Sequence, residues 1–241
     1  MKKLFFLFAC SLLVLSAQAQ TATLTADTIV DKYIKAMGGA DKWKKLDAMR
    51  QTGSVIVQGM TIPFTTTQTR PNLMRSEGDF QGQKFIDAFD GTVAWQQNPF
   101  QTMNKPVKKT DEETKEVAKD AFEDEFIDYK TKGHTVELVG NEEIEGTKCY
   151  KVSLKRKQGD EKIYFFDTES FVPVMMRSFA SFGPNKGEAM ETYLSDYKAE
   201  DGLMIPRTIE QKAKGQTVMV LKTDKVELNP TIDKTIFALP K

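Results

Sequence analysis

The stretch "QTRPNLMRSEGDFQGQKFIDAFDGTVAWQQNPF", which runs from Gln68 to Phe100, decides the fold class. Phe85 and Phe89 lie on one side of an alternating pattern, the two-residue period of a β-strand. Asp90-Gly91 is a strong hairpin signal, and Trp95 follows on the return strand. Because the stretch is rich in apolar positions and almost free of reactive ones, it predicts antiparallel strands without a catalytic motif.

The same alternation continues on both sides of this stretch. Met60, Ile62 and Phe64 share one strand face after a turn at Gly59. Further alternating segments in the second half are separated by turn signals at Gln158–Asp160, Gly183-Pro184, Asp201-Gly202 and Gly215. About a dozen strand candidates at hairpin spacing predict a sandwich or barrel.

Two helices interrupt the strands. The first is predicted over residues 26–38, where apolar residues recur at helical spacing until Gly38-Gly39 ends them. The second is predicted over 111–129, after a capping box at Thr110 and Glu113, and its acidic residues are expected on a solvated face. Each helix has one apolar stripe that must be buried, so both are expected to cover the sheet.

The N-terminus has the pattern of a secretory signal peptide. Lys2 and Lys3 precede a short apolar run, and Ala17-Gln18-Ala19 offers small residues for cleavage. The sequence therefore predicts a signal peptide at 1–19 and one exported domain at 20–241. A lipid anchor at Cys10 is the disfavoured alternative, because Phe8 fits a lipobox poorly and Cys10 lies inside the apolar run.

Composition excludes several classes of function. The chain carries 34 basic and 34 acidic residues, which argues against nucleic acid as the main partner. After cleavage Cys149 is the one remaining cysteine, so no intramolecular disulfide can form. Cys149 alternates with Tyr150 and is expected to face solvent. No later segment of the sequence is apolar enough to cross a membrane.

Chemistry-bearing residues are sparse. His134 lies beside Gly133 in a predicted turn, and no nucleophile motif accompanies it. One histidine and one cysteine cannot form a closed zinc site of the usual kind. The sequence therefore predicts a binding protein without a cofactor, a metal or enzymatic turnover.

Short motifs in this chain resemble the periplasmic lipoprotein carriers of the LolA type. Those proteins show Arg-Pro-Asn-Leu on an early strand, matched by Arg70–Leu73, and then Asp-Gly, a tryptophan and Asn-Pro-Phe, matched within Asp90–Phe100. The segment "IDKTIFALP" at 232–240 is similar to their terminal segment. The ordered set carries the resemblance, which covers most of the mature chain in pattern and these motifs in identity.

The resemblance implies a fold and a function. The fold is mostly β: a curved, unclosed antiparallel barrel with a lid made by an N-terminal helix and a mid-chain helix. The implied protein is a monomer in the periplasm that shields lipoprotein or lipid acyl chains between membrane-bound donor and acceptor proteins. Arg70 corresponds to an arginine implicated in accepting and passing on cargo. The candidate ligand-binding residues are Arg70, Met60, Ile62, Phe64, Leu73, Phe85, Phe89 and Trp95.

Three functions stay open at this point: a lipid or lipoprotein carrier or binding protein, an envelope scaffold or interaction module, and a secreted enzyme. The first includes a divergent relative with another cargo, because the chain is longer than the carriers and "KAMGGADKWKKLDAMRQTG" at 35–53 is not their usual start. Each apolar candidate also suits an ordinary core, as in an envelope scaffold or interaction module. A secreted enzyme is the third. A cavity for acyl chains favours the carrier, a filled core the scaffold, and a polar cleft that gathers carboxylates with His134 the enzyme.

Overall fold

The structure is a computed structural model that describes residues 24–120, 122–183 and 185–240. The predicted signal peptide at 1–19 lies outside the described residues. The α-helices are Ala26–Ala36 (α1), Ala40–Lys44 (α2) and Asp111–Val117 (α3), and a 3-10 helix is Lys234–Phe237. The strands are Ala48–Val57 (β1), Met60–Thr69 (β2), Leu73–Phe80 (β3), Gln83–Phe89 (β4), Ala94–Gln97 (β5), Val107–Lys108 (β6), Thr135–Ile144 (β7), Thr147–Lys155 (β8), Glu161–Asp167 (β9), Pro173–Phe179 (β10), Ala189–Glu200 (β11), Leu203–Ala213 (β12) and Gln216–Leu228 (β13).

All of these strands belong to one antiparallel sheet. Its spatial order is β6-β5-β4-β3-β2-β1-β13-β12-β11-β10-β9-β8-β7, so the first and last strands pair at its centre. On either side of this central pair the chain forms a simple meander of hairpins. In the described residues β6 and β7 do not pair with each other, and the barrel stays unclosed, as predicted.

The first helix forms where the sequence predicts it. The Thr25 side chain caps its start by accepting a hydrogen bond from the Thr28 N–H at 3.2 Å. Its apolar stripe is buried against Val152, Leu154 and Phe166 of the sheet. Gly38 ends it at a φ of +106°, and a Cβ there would lie 2.2 Å from the Gly202 carbonyl oxygen. A glycine is therefore required where α1 meets the β11–β12 hairpin.

The face of the sheet that carries α1 also carries residues 122–129, and we call it the lid face. Glu123 pairs with Arg70 at the end of β2, and Glu125 accepts a hydrogen bond from Tyr164 of β9. These strands are six positions apart in the sheet, roughly 29 Å if it were flat. Residues 123 and 125 span at most about 7 Å. The sheet therefore curves toward the lid face.

The mid-chain helix is shorter than the sequence pattern predicts. The capping box at Thr110 and Glu113 is present, but α3 ends at Val117, and residues 122–129 form turns instead of the predicted helix. The Asp124 carboxylate accepts a hydrogen bond from the Phe126 N–H, and Asp128 adopts a positive φ of 52°. A local side-chain hydrogen bond and a residue with positive φ thus take the place of helical hydrogen bonds in this segment.

The outer face is covered in two ways. The C-terminal segment packs over β3 to β5, where Trp95 Nε1 donates to the Phe237 carbonyl at 2.7 Å. Farther along the sheet, Phe165 and Cys149 are fully buried, with the cations of Lys151 and Arg177 5.6 and 5.2 Å from the Phe165 ring. The expectation that Cys149 faces solvent is wrong, and burial raises the pKa of its thiol to about 11.

Candidate functional site

An open groove of about 620 Å³ lies on the lid face near the hairpin tips of β1 to β4. Its floor comes from neighbouring strands, and the segment after β5 closes one side. It is lined by Val55, Val57, Gln58, Met60, Ile62, Phe64, Ser76, Glu77, Gly78, Phe85, Ile86, Asp87, Asn98, Phe100, Gln101 and Met219. The apolar residues dominate the floor, and the amides and Asp87 lie with them in the lining.

Strand register explains why the floor is apolar. Across the Gln58-Gly59 turn, Val57 pairs with Met60 and Val55 with Ile62, so these side chains share the lid face. The next row runs from Phe64 through Gly78 to Phe85. A Cβ at Gly78 would lie 2.9 Å from the Ile62 side chain, so glycine there lets Ile62 lean between the two phenylalanines.

Phe100 forms the outer wall of the groove. Its ring centroid is 6.0 Å from that of Phe85, at an interplanar angle of 52°. Phe100 is nevertheless 74% exposed. One end of the groove is therefore an aromatic pair that is only partly packed.

The seven apolar residues among the predicted ligand-binding residues separate into three sets. Met60, Ile62, Phe64 and Phe85 line the groove. Phe89 shares their face of the sheet but is 1% exposed and lies outside the groove lining. The structure does not bring Leu73 and Trp95 to the groove: strand register places both on the outer face, since they alternate with Met74 and Ala94, the cross-strand neighbours of Phe89.

Arg70 lies at the end of β2 away from the groove. Its guanidinium donates to the Leu46 carbonyl at 2.8 Å and the Trp43 carbonyl at 2.9 Å, and it pairs with Glu123 at 3.1 Å. Phe122 packs beneath it, with the ring centroid 5.6 Å from the guanidinium carbon. Arg70 therefore joins the start of β1 to the lid segment, which we define as residues 119–134.

A second, polar cleft of about 550 Å³ lies between the lid segment and β8–β9. Three of the acidic residues that the sequence predicts on a solvated face, Glu123, Asp124 and Glu125, are partly buried in this cleft instead, whereas Asp128 is exposed as predicted. Glu125 accepts from Tyr164 and Asp124 from Tyr33, while Glu123 pairs with Lys132 at 2.9 Å. Burial raises the pKa of the Asp124 carboxyl above its usual value, against the hydrogen bond from Tyr33. These carboxylates anchor the lid segment to the sheet.

His134 lines this cleft, but its ring is not paired with a carboxylate among the described side chains. Its Nδ1 accepts a hydrogen bond from the Lys157 N–H at 3.1 Å, so that atom is already occupied. Burial lowers the pKa of His134, which favours the neutral ring. Among the described residues of the cleft, His134 is therefore held by the backbone of Lys157 and not by a carboxylate.

Residues 24–240, apart from 121 and 184, contain neither a membrane-spanning helix nor a metal-binding cluster. None of their helices combines the length and the apolar character needed to span a bilayer. No group of three or more histidine, cysteine, aspartate or glutamate side chains among them is placed to hold a metal ion.

Sequence reasoning missed part of the groove. Val55 and Val57 are not among the candidate ligand-binding residues, although pairing across the Gln58-Gly59 turn places them beside Met60 and Ile62. That pairing was the available signal. Met219 had no local signal, because β13 reaches β1 only through the pairing of the chain's two ends.

Comparisons with known proteins come from structure alone. No family model and no curated protein matches the sequence. A DUF1329 family protein from Desulfovibrio piger has a TM-score of 0.59 at 10% identity, over 88% of this chain and 97% of that one. A putative outer membrane lipoprotein-sorting protein domain from Vibrio parahaemolyticus has a TM-score of 0.55 at 10% identity, over 86% and 97%.

A LolA superfamily protein from Nitrosomonas europaea gives a similar match. Its TM-score is 0.56 at 14% identity, over 89% of this chain and 98% of that chain. The high coverage of both chains shows that the likeness extends over most of their length. With its unclosed antiparallel sheet and helical lid, the chain has the LolA-like half-barrel fold.

Proposed function

We propose that this protein is an exported, non-catalytic carrier that shields the acyl chains of lipoproteins or lipids in the periplasm. The groove on the lid face is the proposed binding site, where the acyl chain contacts Met60, Ile62, Phe64 and Phe85. Export rests on the signal-peptide pattern of residues 1–19. Membrane-bound donor and acceptor proteins are the proposed partners.

The observation that carries this proposal is the apolar groove itself. Its volume of about 620 Å³ is that of a small-molecule site. Each buried methylene contributes about 0.8 kcal/mol, so a short run of acyl carbons offsets much of the cost of association. Met60 and Met219 supply flexible side chains that adapt to chains of different shape. The description of the Vibrio protein as a lipoprotein-sorting domain supports the same class of cargo.

Phe85→Glu tests the groove directly. We expect the variant to fold and to bind a fluorescent fatty-acid probe at least about tenfold more weakly, since a charge replaces an apolar contact worth roughly 1.5 kcal/mol or more. Phe179→Glu is the matched control, because Phe179 is 45% exposed and lies outside the groove lining. A wild-type protein that never binds the probe would favour the scaffold function instead.

Arg70→Leu tests the lid. Loss of two hydrogen bonds and an ion pair should loosen the contact between Trp43, Leu46 and Glu123 while leaving the sheet folded. We expect faster probe transfer to acceptor vesicles, measured by stopped flow, with a smaller change in equilibrium binding. Arg70→Lys keeps the charge but not the two-pronged donor geometry, so it should fall between wild type and Arg70→Leu. Wild-type transfer by Arg70→Leu would remove the proposed role.

A further inference from the structure

The turns around the groove lack acidic residues. We call these turns the groove rim, which consists of four segments: 57–60, 80–84, 98–109 and 213–217. They contain five lysines (Lys84, Lys105, Lys108, Lys109 and Lys214) and no aspartate or glutamate. Because the whole chain has equal numbers of basic and acidic residues, the rim is a local excess of positive charge.

Part of this charge is unneutralised. Lys108, Lys109 and Lys214 pair with Asp111, Asp87 and Glu188 outside the rim. Lys84 and Lys105 are exposed and form no ion pair with any residue that the structure describes. Asp79 lies opposite Lys84 in the β3–β4 pairing and forms no ion pair with it; its carboxylate accepts from the Gly82 N–H at 2.9 Å and keeps its negative charge.

Exposed apolar side chains concentrate in and beside the same rim. Six large hydrophobic residues are exposed in the described part of the chain. Phe100 at 74%, Met103 at 80% and Val107 at 44% lie in the 98–109 segment, and Val218 directly follows 213–217. The remaining two, Val139 and Phe179, lie elsewhere in the sheet. Such a cluster marks an interaction surface.

Hydrogen bonds within and beside the 98–109 segment fix its conformation. The Asn98 side chain accepts from the Phe100 N–H at 2.9 Å, and the Gln97 side chain donates to the Asn104 carbonyl at 3.0 Å. Met103 and Asn104 both have positive φ, at 51° and 58°. Hydrogen bonds therefore hold Phe100 and Met103 in an exposed position beside the groove.

We propose that the groove rim docks on a bilayer surface containing anionic lipids, with Phe100 and Met103 inserted among the headgroups. Apolar residues flanked by lysines suit this surface, because each lysine near it gains free energy from the anionic leaflet while the apolar groups leave water. The turns at the other end of the sheet carry both signs of charge: Asp90 and Asp201 lie there, but so do Lys42, which reaches the Gly202 carbonyl, and Lys45. The exposed apolar side chains Phe100 and Met103 lie on the rim together with its lysines, so their insertion orients the groove toward the membrane.

Vesicle co-sedimentation tests this docking with the full mature chain. We expect binding to phosphatidylcholine vesicles that contain phosphatidylglycerol, weakened by salt, and at least tenfold weaker binding by the Phe100→Ser/Met103→Ser double variant. Val139→Ser/Phe179→Ser is the matched control, because it removes two exposed apolar side chains outside the rim. Equal losses in both double variants would overturn the proposal.

A charge pair completes the experiment. Lys84→Glu/Lys105→Glu should lose binding to anionic vesicles, whereas Lys45→Glu/Lys148→Glu, at the opposite end of the sheet, should retain it. The proposal is overturned if the wild type does not bind anionic vesicles, or binds equally without phosphatidylglycerol.

The docking proposal rests on the proposed carrier function only in that docking would serve the transfer of acyl chains. Separate experiments can refute docking and acyl-chain binding. Phe85→Glu should lose the fatty-acid probe and keep vesicle binding. A wild type that binds the probe but not vesicles would overturn docking alone.

Discussion

Phe89→Glu should leave little or no folded protein at room temperature. Phe89 is 1% exposed and lies between Met74 and Ala94 on neighbouring strands. The substitution removes a buried ring, at about 3–5 kcal/mol, and adds the cost of burying a charge. Because whole domains are stable by only about 5–15 kcal/mol, this loss consumes much or all of the stability. Urea denaturation followed by circular dichroism measures it.

Phe85→Glu is the matched control for this result. It is the same change on the same strand and the same face, four residues away, but Phe85 is only partly buried and lines the groove. We expect its free energy of unfolding to fall much less than that of Phe89→Glu. If both variants unfold alike, the groove is part of a filled core and the carrier proposal loses its basis.

Arg156→Met should destabilise the protein by about 3 kcal/mol, the cost of breaking a largely buried ion pair. The Arg156 side chain is 6% exposed and pairs with Asp160 at 2.5 Å and Glu125 at 3.6 Å. It also donates to the Lys119 carbonyl at 3.1 Å, so it ties the lid segment to the end of β8. Its loss leaves carboxylates without their cation. Arg50→Met is the control, because the half-exposed Arg50–Glu227 pair should contribute less than about 1 kcal/mol.

The pH dependence separates this ion pair from simple packing. Burial alone would raise the pKa of Asp160, but the hydrogen bond and charge of Arg156 outweigh it and hold the pKa below its usual 3.8. A depressed pKa contributes stability above the ordinary value that is lost as pH falls through the folded value. Arg156→Met should therefore differ most from wild type at neutral pH, and the difference should shrink as the pH falls below 3.8. A constant difference across this range would contradict the electrostatic explanation.

Local patterns predicted the strands and the first helix well. The turns at Gly59, Asp90-Gly91 and Asp201-Gly202 all fall between paired strands. Glycine and aspartate favour the backbone conformations of tight turns, so these turns can be predicted from a few neighbouring residues. The α1 stripe is equally local. The open half-barrel came from the motif resemblance, because alternation by itself fits a sandwich as well.

The lid segment could not be predicted in the same way. Phe122, Phe126 and Tyr129 keep helical spacing, yet their backbone forms turns. The cause is tertiary: Asp124 and Glu125 reach Tyr33 and Tyr164, which are distant in sequence. Helical propensity is a weak prior that such contacts override.

The sequence predicted which side of the sheet carries the groove residues, but not which of them line the groove and which are buried. Alternation places Phe64, Phe85 and Phe89 on one side of the sheet, and register confirms it. Whether a ring lines a groove or fills a core depends on what covers it, which no local pattern reports. For Trp95 even the face was wrong. Trp95 pairs with Ala88, the neighbour of Phe89, so it lies on the opposite face of the sheet from Phe89.

The pairing of β1 with β13 dictates the order in which the protein can be completed. Met49 pairs with Leu228, so the central seam of the sheet joins residues from opposite ends of the chain. Each meander can form from neighbouring hairpins, but the seam must await the last strand and bear the entropy of closing a very long loop. Until then β1 presents an unpaired edge that invites association with other chains. A nascent molecule is therefore two incomplete half-sheets, and the pairing of β13 with β1 both joins them and removes the exposed edge.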